Sequence, residues 1–283
     1  MAPLNTNLQA FNLSVSTLLK NPSHFLPNFT ISTFLDFPEQ IGSHLLPSSA
    51  SPISTTTKPK NADNEKPKRT PKISALVLDK DNTLCAPNTI AIPGAYMRKL
   101  EQLRTSPTSP FNLHTNPHGV LIVSNTAGSR PGSKRYENEA SDLEDRLQHL
   151  RIPVFRVVAP APAPAPAAGA GAEAQAGMGT GARRKPFCGP DVLAWFRERG
   201  VVQSADEIVV VGDRLGTDTL MAAQMGAWSV WCKDGVRHGT ADDGRQIDVD
   251  YRGFLAKVET LLEKYLRENK KVRPRVPPGW ECV

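Results

Sequence analysis

The sequence lacks acidic residues in its first 35 positions, long apolar runs, and closely spaced cysteines. A membrane-spanning helix needs about 20 apolar residues in a row, so we do not expect an integral helical membrane protein. The cysteines are Cys85, Cys188, Cys232 and Cys282. Because they lie far apart without C-x-x-C or Cys/His spacing, we expect reduced thiols and neither a zinc site nor a disulfide framework.

Proline is the residue in excess. The chain has 25 prolines in 283 residues, which indicates unstructured segments. Its 39% hydrophobic and 22% charged content is ordinary for a globular protein. The length suits one substantial domain or two small ones, and the proline content favours one domain with tails.

The basic charge is concentrated on the flanks of the chain. Residues 58–72 carry six basic side chains against two acidic ones, and residues 251–283 carry eight against four. The remaining residues sum to −2 within the total of +6. This distribution favours an anionic surface as partner and argues against nucleic acid bound in a core groove. Solvated surface lysines are an equally good interpretation.

The N-terminal residues 1–46 read as an apolar, amphipathic segment for membrane association or targeting. Apolar residues recur at helical spacing at Leu4, Leu8, Phe11, Val15, Leu18 and Leu19. Three interpretations stay open: a mitochondrial transit peptide, a membrane-surface anchor, or a helix packed on the core. Lys20 is the only lysine or arginine among the first 35 residues, which weakens the transit interpretation. Residues 47–72 follow as a disordered, basic, proline-rich linker.

Residues 73–269 predict a doubly wound α/β domain. Five short apolar runs read as strands of a parallel sheet: 73–79, 119–125, 152–158, 207–213 and 228–233. Helical patterns lie between or beside them at 95–104, 142–150, 190–199 and 218–225. The Ala/Pro/Gly tract at 159–182 reads as a flexible low-complexity insert. Residues 270–283 read as a basic, proline-rich tail.

Chemically active side chains follow the predicted strands. Asp79 and Asp81 end the first strand, Ser124 ends the second, and Asp213 ends the fourth. In doubly wound folds the ligand lies beyond the carboxyl ends of the strands. Carboxylates converging there suit Mg²⁺. A free carboxylate can attack phosphorus, and a second can protonate the leaving alkoxide.

The order Asp-x-Asp-x-Thr, Ser, Lys, Gly-Asp-x-x-x-x-Asp resembles the haloacid dehalogenase (HAD) phosphohydrolase superfamily. The resemblance covers residues 73 to about 232. It implies Asp79 as nucleophile and Asp81 as general acid and base. It implies a phosphate site of Thr83, Ser124, Asn125 and Lys185, with Thr83 also supporting the loop. It implies a Mg²⁺ site of Asp79, Asp81 through its backbone carbonyl, Asp213 and Asp218.

The predicted domain has no room for a large cap. Only 43 positions separate Asp81 from Ser124, and the Ala/Pro/Gly insert in the next interval cannot form a packed cap. We therefore expect an open site, which suits a phosphate presented on a macromolecule or at a membrane surface.

A narrower resemblance is carried by "LVLDKDNTL", "SNTAGS", "KP" and "VVVGDRLGTDTLMAAQMGAWSVW". These stretches are similar to fungal mitochondrial phosphatidylglycerophosphate (PGP) phosphatases. The resemblance implies dephosphorylation of PGP to phosphatidylglycerol on the route to cardiolipin. It also implies a peripheral protein on the matrix side of the mitochondrial inner membrane, with the anionic membrane surface as partner.

Two competing functions stay open, and the oligomeric state is open as well. One is a HAD phosphatase acting on phosphoproteins or nucleic-acid ends, and the other is a non-catalytic membrane scaffold. A last expectation concerns the C-terminal segment, where an apolar stripe at helical spacing is expected to pack on the sheet rather than bind lipid. Its members are Phe254, Val258, Leu261, Leu262 and Tyr265.

Overall fold

The computed structural model describes residues 15–46, 69–158, 183–240 and 246–281. Their centre is a five-stranded parallel sheet in the order β1-β5-β4-β2-β3. The strands are β1 Phe29–Ile31, β2 Ala75–Leu78, β3 Val120–Ile122, β4 Ile208–Gly212 and β5 Trp228–Cys232. Every residue of β2, β4 and β5 is buried, because both faces of the sheet are covered. The predicted doubly wound α/β fold is confirmed.

Helices cover the two faces of the sheet. The described part of α1 spans residues 15–20. The other helices are α2 Gly94–Thr105, α3 Lys134–Arg146, α4 Gly189–Glu198, α5 Leu220–Met225 and α6 Phe254–Lys264. A π-helical turn, Leu215–Thr219, leads into α5, and a second, Tyr265–Asn269, follows α6. Short 3₁₀ turns lie at Pro22–Phe25, Phe34–Asp36, Ile41–His44, Gln148–Leu150 and Ala205–Glu207. Among these described helices, none has the length and apolar character needed to span a bilayer.

Side chains of β2 point alternately to the two faces of the sheet, and each face has its own hydrophobic cluster. Leu76 and Leu78 face the cluster that contains Tyr96 of α2 and Leu143 of α3. Ala75 and Val77 face the opposite cluster, which contains side chains of α4 and α5. A small antiparallel hairpin of β6 His238–Thr240 and β7 Gln246–Asp248 lies outside the main sheet.

One predicted strand is wrong in extent. Residues 152–158 form a single bridge, between Val154 and Ile122, instead of a strand. The segment makes two backbone hydrogen bonds with Ile122, the last residue of β3. Ile122 N donates to Pro153 O, and Phe155 N donates to Ile122 O. Val157 N then donates to Gly128 O, in a loop. Its residues Ile152, Val154, Phe155 and Val157 are buried mainly by packing, whereas Val158 is exposed.

The opposite edge of the sheet is a strand that the sequence did not predict. β1 pairs with β5, and the Asn28 side chain accepts from Ser229 N at 2.9 Å. Phe34 and Phe37 are fully buried in the main core. Residues 22–46 pack on the core, whereas the three interpretations concern the helix before them, of which the structure describes residues 15–20. Residues 1–14 lie outside the described residues, as do 47–68 of the predicted linker and the insert 159–182.

The C-terminal residues also pack against the domain. Trp280 is buried and stacks edge-on against Trp228 at 5.6 Å between ring centroids. Its indole Nε1 donates to Asp206 Oδ2 at 2.9 Å, and the guanidinium of Arg69 lies over its ring. The described part of the predicted tail, 270–281, is therefore anchored at its end.

The expectation that the apolar stripe of the C-terminal helix packs on the sheet is wrong for four of its five residues and holds for Leu262, which packs against the cluster containing Trp231 of β5. Phe254 is 84% exposed and Leu261 is 70% exposed. The face of α6 that turns inward instead buries Ala256 and Glu259. The helix is held through polar contacts of Glu259, which an apolar-stripe pattern does not reveal.

Candidate active site

The candidate active site is a cavity of 250 Å³ beyond the carboxyl ends of β2 and β4. Six predicted residues line it: Asp79, Asp81, Asn125, Lys185, Asp213 and Asp218. The C-terminal region adds Tyr251 and Leu255 to the wall. Thr83 and Ser124 are buried behind this lining. The first aspartate of each predicted motif follows the last residue of a buried strand, which is why residues far apart in sequence meet here.

Three buried carboxylates form the floor of the cavity. Single oxygens of Asp79, Asp213 and Asp218 all lie within 4.8 Å of one another. Lys185 Nζ donates to Asp79 Oδ1 and to Asp218 Oδ1, the latter at 2.6 Å. One ammonium group beside three carboxylates leaves an excess of negative charge in a buried site. Such buried charge costs free energy unless it is neutralised. This donor set therefore fits a divalent cation that prefers oxygen ligands.

The pKa values of these buried groups reflect the same excess of negative charge. Burial raises the pKa of Asp79 to about 7, although Lys185 pulls it down. Burial, reinforced by Asp79, also raises the pKa of Asp213. Burial opposes the charge on Lys185, but Asp218 and Asp79 outweigh burial and raise its pKa. The lysine thus stays charged, and the carboxylates need further positive charge to ionise fully.

Asp81 faces a different set of partners. Its Oδ2 accepts from Thr126 Oγ1 at 2.6 Å, and its Oδ1 accepts from Asn88 N at 3.0 Å. Lys80 Nζ lies 2.9 Å from the same Oδ1. The side chain is 25% exposed, and it is absent from the three-carboxylate group. Its backbone carbonyl is the group that remains for the metal role implied by the resemblance.

The geometry between the two aspartates differs from a simple strand. An extended backbone would put Asp79 and Asp81 on one side, but β2 ends at Leu78. Asn82 then takes a left-handed conformation with φ of 59°, which asparagine tolerates better than most residues. Asp79 and Asp81 therefore lie in the loop beyond the strand, and both line the cavity.

The remaining predicted residues organise the loops around the cluster. Thr83 Oγ1 donates to Asp79 Oδ2 at 3.3 Å. Ser124 Oγ accepts from Thr126 N at 3.0 Å. Asn125 Oδ1 accepts from Lys185 N at 3.1 Å, which ties the lysine backbone to the end of β3. The peptide bond from Lys185 to Pro186 is cis.

Four contributors were missed from the sequence: Lys80, Asn82, Thr126 and Glu259. Asn82 Nδ2 donates to Asp213 Oδ2 at 2.9 Å. Lys80 is fully buried between Asp81 and Glu139. Lys80 and Asn82 lie inside the first motif, and this position could have indicated that their side chains contact the aspartates of the site. The role of Glu259 had no local signal.

Glu259 joins α6 to the last motif. Its Oε2 accepts from Arg214 Nε and from Leu215 N, both at 3.1 Å, and its Oε1 accepts from Gly216 N at 3.2 Å. These donors lie at the start of the π-helical turn that carries Asp218. A carboxylate that satisfies free N–H groups at a helix start is a favourable arrangement.

Position 212 requires glycine because the side chain of Asp218 lies very close to its backbone. A Cβ at this position would lie 2.3 Å from Asp218 Cγ. Only glycine lets the Asp218 carboxylate lie against the end of β4, and this explains the glycine in the Gly-Asp motif.

The chain is similar to several known proteins. The family model described as mitochondrial PGP phosphatase matches residues 8–237. A mitochondrial phosphatidylglycerophosphatase of Saccharomyces cerevisiae is 31% identical over 225 residues, covering 80% of this chain and 86% of that protein. A protein of Schizosaccharomyces pombe named as a probable mitochondrial phosphatidylglycerophosphatase is 27% identical over 253 residues, covering 89% and 93%. A solved bacterial structure from Mesorhizobium loti described as HAD-like is similar at 19% identity and a TM-score of 0.34, over 69% of this chain and 88% of that chain.

Proposed function

The chain belongs to the mitochondrial PGP phosphatase family, and on that premise we propose that it hydrolyses phosphatidylglycerophosphate to phosphatidylglycerol and inorganic phosphate. The observation that carries the proposal is the buried cluster of Asp79, Asp213, Asp218 and Lys185 at the strand ends. The cluster lies within the matched residues, and a nucleophile, a cation site and a fixed ammonium are what phosphoryl transfer requires.

The cation of the proposal is Mg²⁺, held by Asp79, Asp213 and Asp218. A bound Mg²⁺ supplies positive charge to the carboxylates and to the oxygens of a phosphoryl group. Lys185 supplies a second positive charge, since it lies between Asp79 and Asp218 and lines the cavity. Asn125 lines the cavity beside it and fixes the lysine backbone.

Asp79 is the nucleophile of the proposed reaction. A carboxylate oxygen of Asp79 attacks phosphorus while the ester oxygen leaves as the alkoxide of phosphatidylglycerol. The leaving oxygen takes a proton from Asp81, and an aspartyl-phosphate remains. Asp81, now ionised, takes a proton from water as the water attacks the aspartyl-phosphate. Phosphate leaves, and Asp79 is restored.

The placement of each aspartate supports its role. Asp79 is buried beside Lys185, with Thr83 Oγ1 on its other oxygen. Asp81 is partly exposed and lies at the cavity wall, where it can exchange protons with water and with a leaving group. Thr83 and Ser124 are predicted phosphate ligands, and from their buried positions they support Asp79 and Thr126.

We place the activity on the route to cardiolipin, at the matrix face of the mitochondrial inner membrane. The curated relatives are named as mitochondrial. Basic residues on the flanks of the chain suit the anionic surface of that membrane. The substrate is itself a membrane lipid, so a peripheral protein is what the reaction needs.

The test is phosphate release from PGP in anionic liposomes, with and without Mg²⁺, for the wild type and Asp79→Asn. Release that needs Mg²⁺ and vanishes in the variant is the expected result. Turnover of a soluble aryl phosphate without release from PGP would overturn the lipid substrate and favour a phosphoprotein or nucleic-acid end. No turnover of either substrate would overturn the enzyme and favour a scaffold.

A further inference from the structure

The outer face of α6 is an apolar stripe exposed to solvent. Phe254, Val258, Leu261 and Tyr265 follow one another at helical spacing, with Leu255 beside Phe254. Their exposed fractions run from 38% at Val258 to 84% at Phe254. Five large apolar side chains in one row on a surface are unusual for a part of a protein that faces only water. We call this row the α6 stripe.

The α6 stripe is not the core-facing side of a wrongly rotated helix, because α6 has a separate buried face. Glu259 and Ala256 occupy the inward side of the same helix and are buried. Glu259 accepts from Arg214 and from two backbone N–H groups, and Leu266 joins the cluster beneath. Because the inward face is fixed by these contacts, a rotation that buried the stripe would leave a carboxylate and its donors without partners.

The α6 stripe begins at the mouth of the catalytic cavity. Tyr251, Gly253, Leu255 and Ala256 line the cavity that contains Asp79 and Asp218. Leu255 is both part of that lining and 49% exposed. A partner that covers the stripe therefore also lies at the entrance through which a substrate must pass.

Exposed basic residues lie on and directly after α6. Residues 251–283 have eight basic and four acidic side chains. Those exposed on and after α6 include Lys257, Lys264, Lys270 and Lys271. An apolar row accompanied by lysines is the composition of a helix that lies in the interface of an anionic bilayer. A second copy of the chain would bring like charges together, so the charge disfavours a dimer at this face.

The N-terminal helix packs against the same cluster as α6. Leu18 of α1 and Leu262 of α6 both contact this cluster. On α1, Leu19 is 79% exposed and Val15 is 41% exposed. Each of the two helices thus leaves apolar side chains in solvent.

We propose that the α6 stripe is the surface that inserts into an anionic lipid bilayer, holding the mouth of the catalytic cavity at the depth of the lipid headgroups. The inference rests on the proposed function, because a diacyl substrate keeps its chains in the bilayer and the phosphatase must come to it. Withdrawing those chains into water would cost free energy for every CH₂ group.

The first experiment compares vesicle binding by Phe254→Gln/Leu261→Gln with the wild type. Glutamine keeps helix propensity and removes the apolar surface. The control is Val158→Gln, which removes an 82% exposed apolar side chain that lines a different cavity. We expect the double variant to bind anionic vesicles without PGP roughly ten-fold or more weakly, and the control to bind like the wild type. Equal binding by the double variant would overturn the proposal.

The second experiment separates the surface from the chemistry. The double variant should keep its turnover of a soluble aryl phosphate while its turnover of PGP in liposomes falls by about the factor lost in binding. Loss of both activities would mean that α6 supports the fold of the site, which would overturn a role confined to docking.

A third measurement does not depend on loss of function. Leu261→Trp should show fluorescence quenching by vesicles with brominated acyl chains, and Val158→Trp should show none. Three of the four native tryptophans, Trp228, Trp231 and Trp280, are at most 4% exposed, and the fourth, Trp195, is partly buried in the same cavity lining as Val158. The quenching at position 261 is therefore read as the difference from the wild type. No quenching would mean that another occupant, such as residues 1–14 or a second copy, covers the stripe.

The two proposals fail in different ways. If the wild type does not hydrolyse PGP, the proposed function fails even where vesicle binding depends on the α6 stripe. If the wild type hydrolyses PGP but the double variant binds vesicles and turns over PGP unchanged, this inference fails alone.

Discussion

At the scale of single residues, the site gives two aspartates different environments. Asp79 is buried among carboxylates and touches Lys185, whereas Asp81 is partly exposed and bonded to Thr126 and Lys80. Different surroundings are the usual way in which a protein assigns different roles to two similar groups. The difference in position supports the proposed division of labour between nucleophile and general acid.

The role of Asp81 can be tested through the leaving group. In Asp81→Asn we expect PGP turnover to fall by about 10²–10⁴-fold, because the alkoxide leaves without a proton. A nitrophenyl phosphate needs no proton to leave, so the variant should release one equivalent of nitrophenolate in a rapid burst and then turn over slowly. Rapid-mixing absorbance measures the burst. Asp79→Asn is the control and should show no burst; a burst there would contradict the assignment of the nucleophile.

A second residue-scale prediction concerns stability and pH. The folded pKa of Asp79 is raised to about 7, and that of Asp213 is raised too, so between about pH 4 and pH 7 the folded protein binds more protons than the unfolded chain. Stability of the metal-free protein should therefore fall as pH rises through this window. Mg²⁺ should raise the melting temperature more at pH 8 than at pH 5.

Asp213→Asn checks the origin of that effect. Removing one charge from the cluster should raise the melting temperature of the metal-free protein by about 2–8 °C at pH 8. Asn82 can still donate to the remaining side-chain oxygen at position 213. The stabilisation by Mg²⁺ should shrink, and PGP turnover should be lost. Scanning calorimetry measures the first two, and an unchanged response to Mg²⁺ would contradict a cation site at these carboxylates.

The structure brings six of the predicted residues to one cavity, because Asp79 and Asp213 directly follow strands and parallel strands end at one edge. The sequence could not predict their partners. Thr126 contacts Asp81, 45 positions away, and Asn82 contacts Asp213, 131 positions away. Such pairs depend on loop conformation, including the left-handed backbone at Asn82, and no local pattern encodes them.

At the scale of elements, α6 shows how an amphipathic pattern can mislead. Helical spacing of apolar residues normally marks the buried face, and the prediction followed that rule. Here the helix is held by Glu259, whose three hydrogen bonds are to the turn carrying Asp218. β1 was missed for a related reason: three residues are too short to show alternation, and the strand is defined by its pairing with β5.

Glu259→Gln should separate anchoring from surface charge. The amide keeps one acceptor oxygen but places an NH₂ group against N–H donors, so we expect a loss of about 1–3 kcal/mol in the free energy of unfolding. Phosphatase activity should also fall, since the turn positions Asp218. Glu263→Gln is the matched control on the same helix, because within the described part of the chain Glu263 makes only an i,i+4 pair with Arg267, worth about 0.3–0.5 kcal/mol. Urea unfolding compares the two; equal losses would contradict the anchoring role.

At the scale of the whole molecule, both ends of the described chain close the sheet. Residues 22–46 add the edge strand β1 and bury Phe34 against Tyr96 at 6.5 Å between ring centroids. Trp280 covers Trp228 of β5. Residues 22–46 and the described part of the basic tail look separable in the sequence, but both are part of the packed domain. They cover the apolar residues at the outer edge of β5.

This arrangement predicts where the chain can be shortened. A protein beginning at residue 47 loses several fully buried side chains, including Phe34, Phe37 and Ile41, and should not fold, because the loss exceeds a typical total stability of about 5–15 kcal/mol. Phe37→Ala alone should cost about 3–5 kcal/mol, against less than about 0.5 kcal/mol for the exposed Leu19→Ala. Chemical denaturation measures both. A folded, active chain from residue 47 would show that residues 22–46 are a removable leader; a chain that does not fold would show that the enzyme needs residues from this segment.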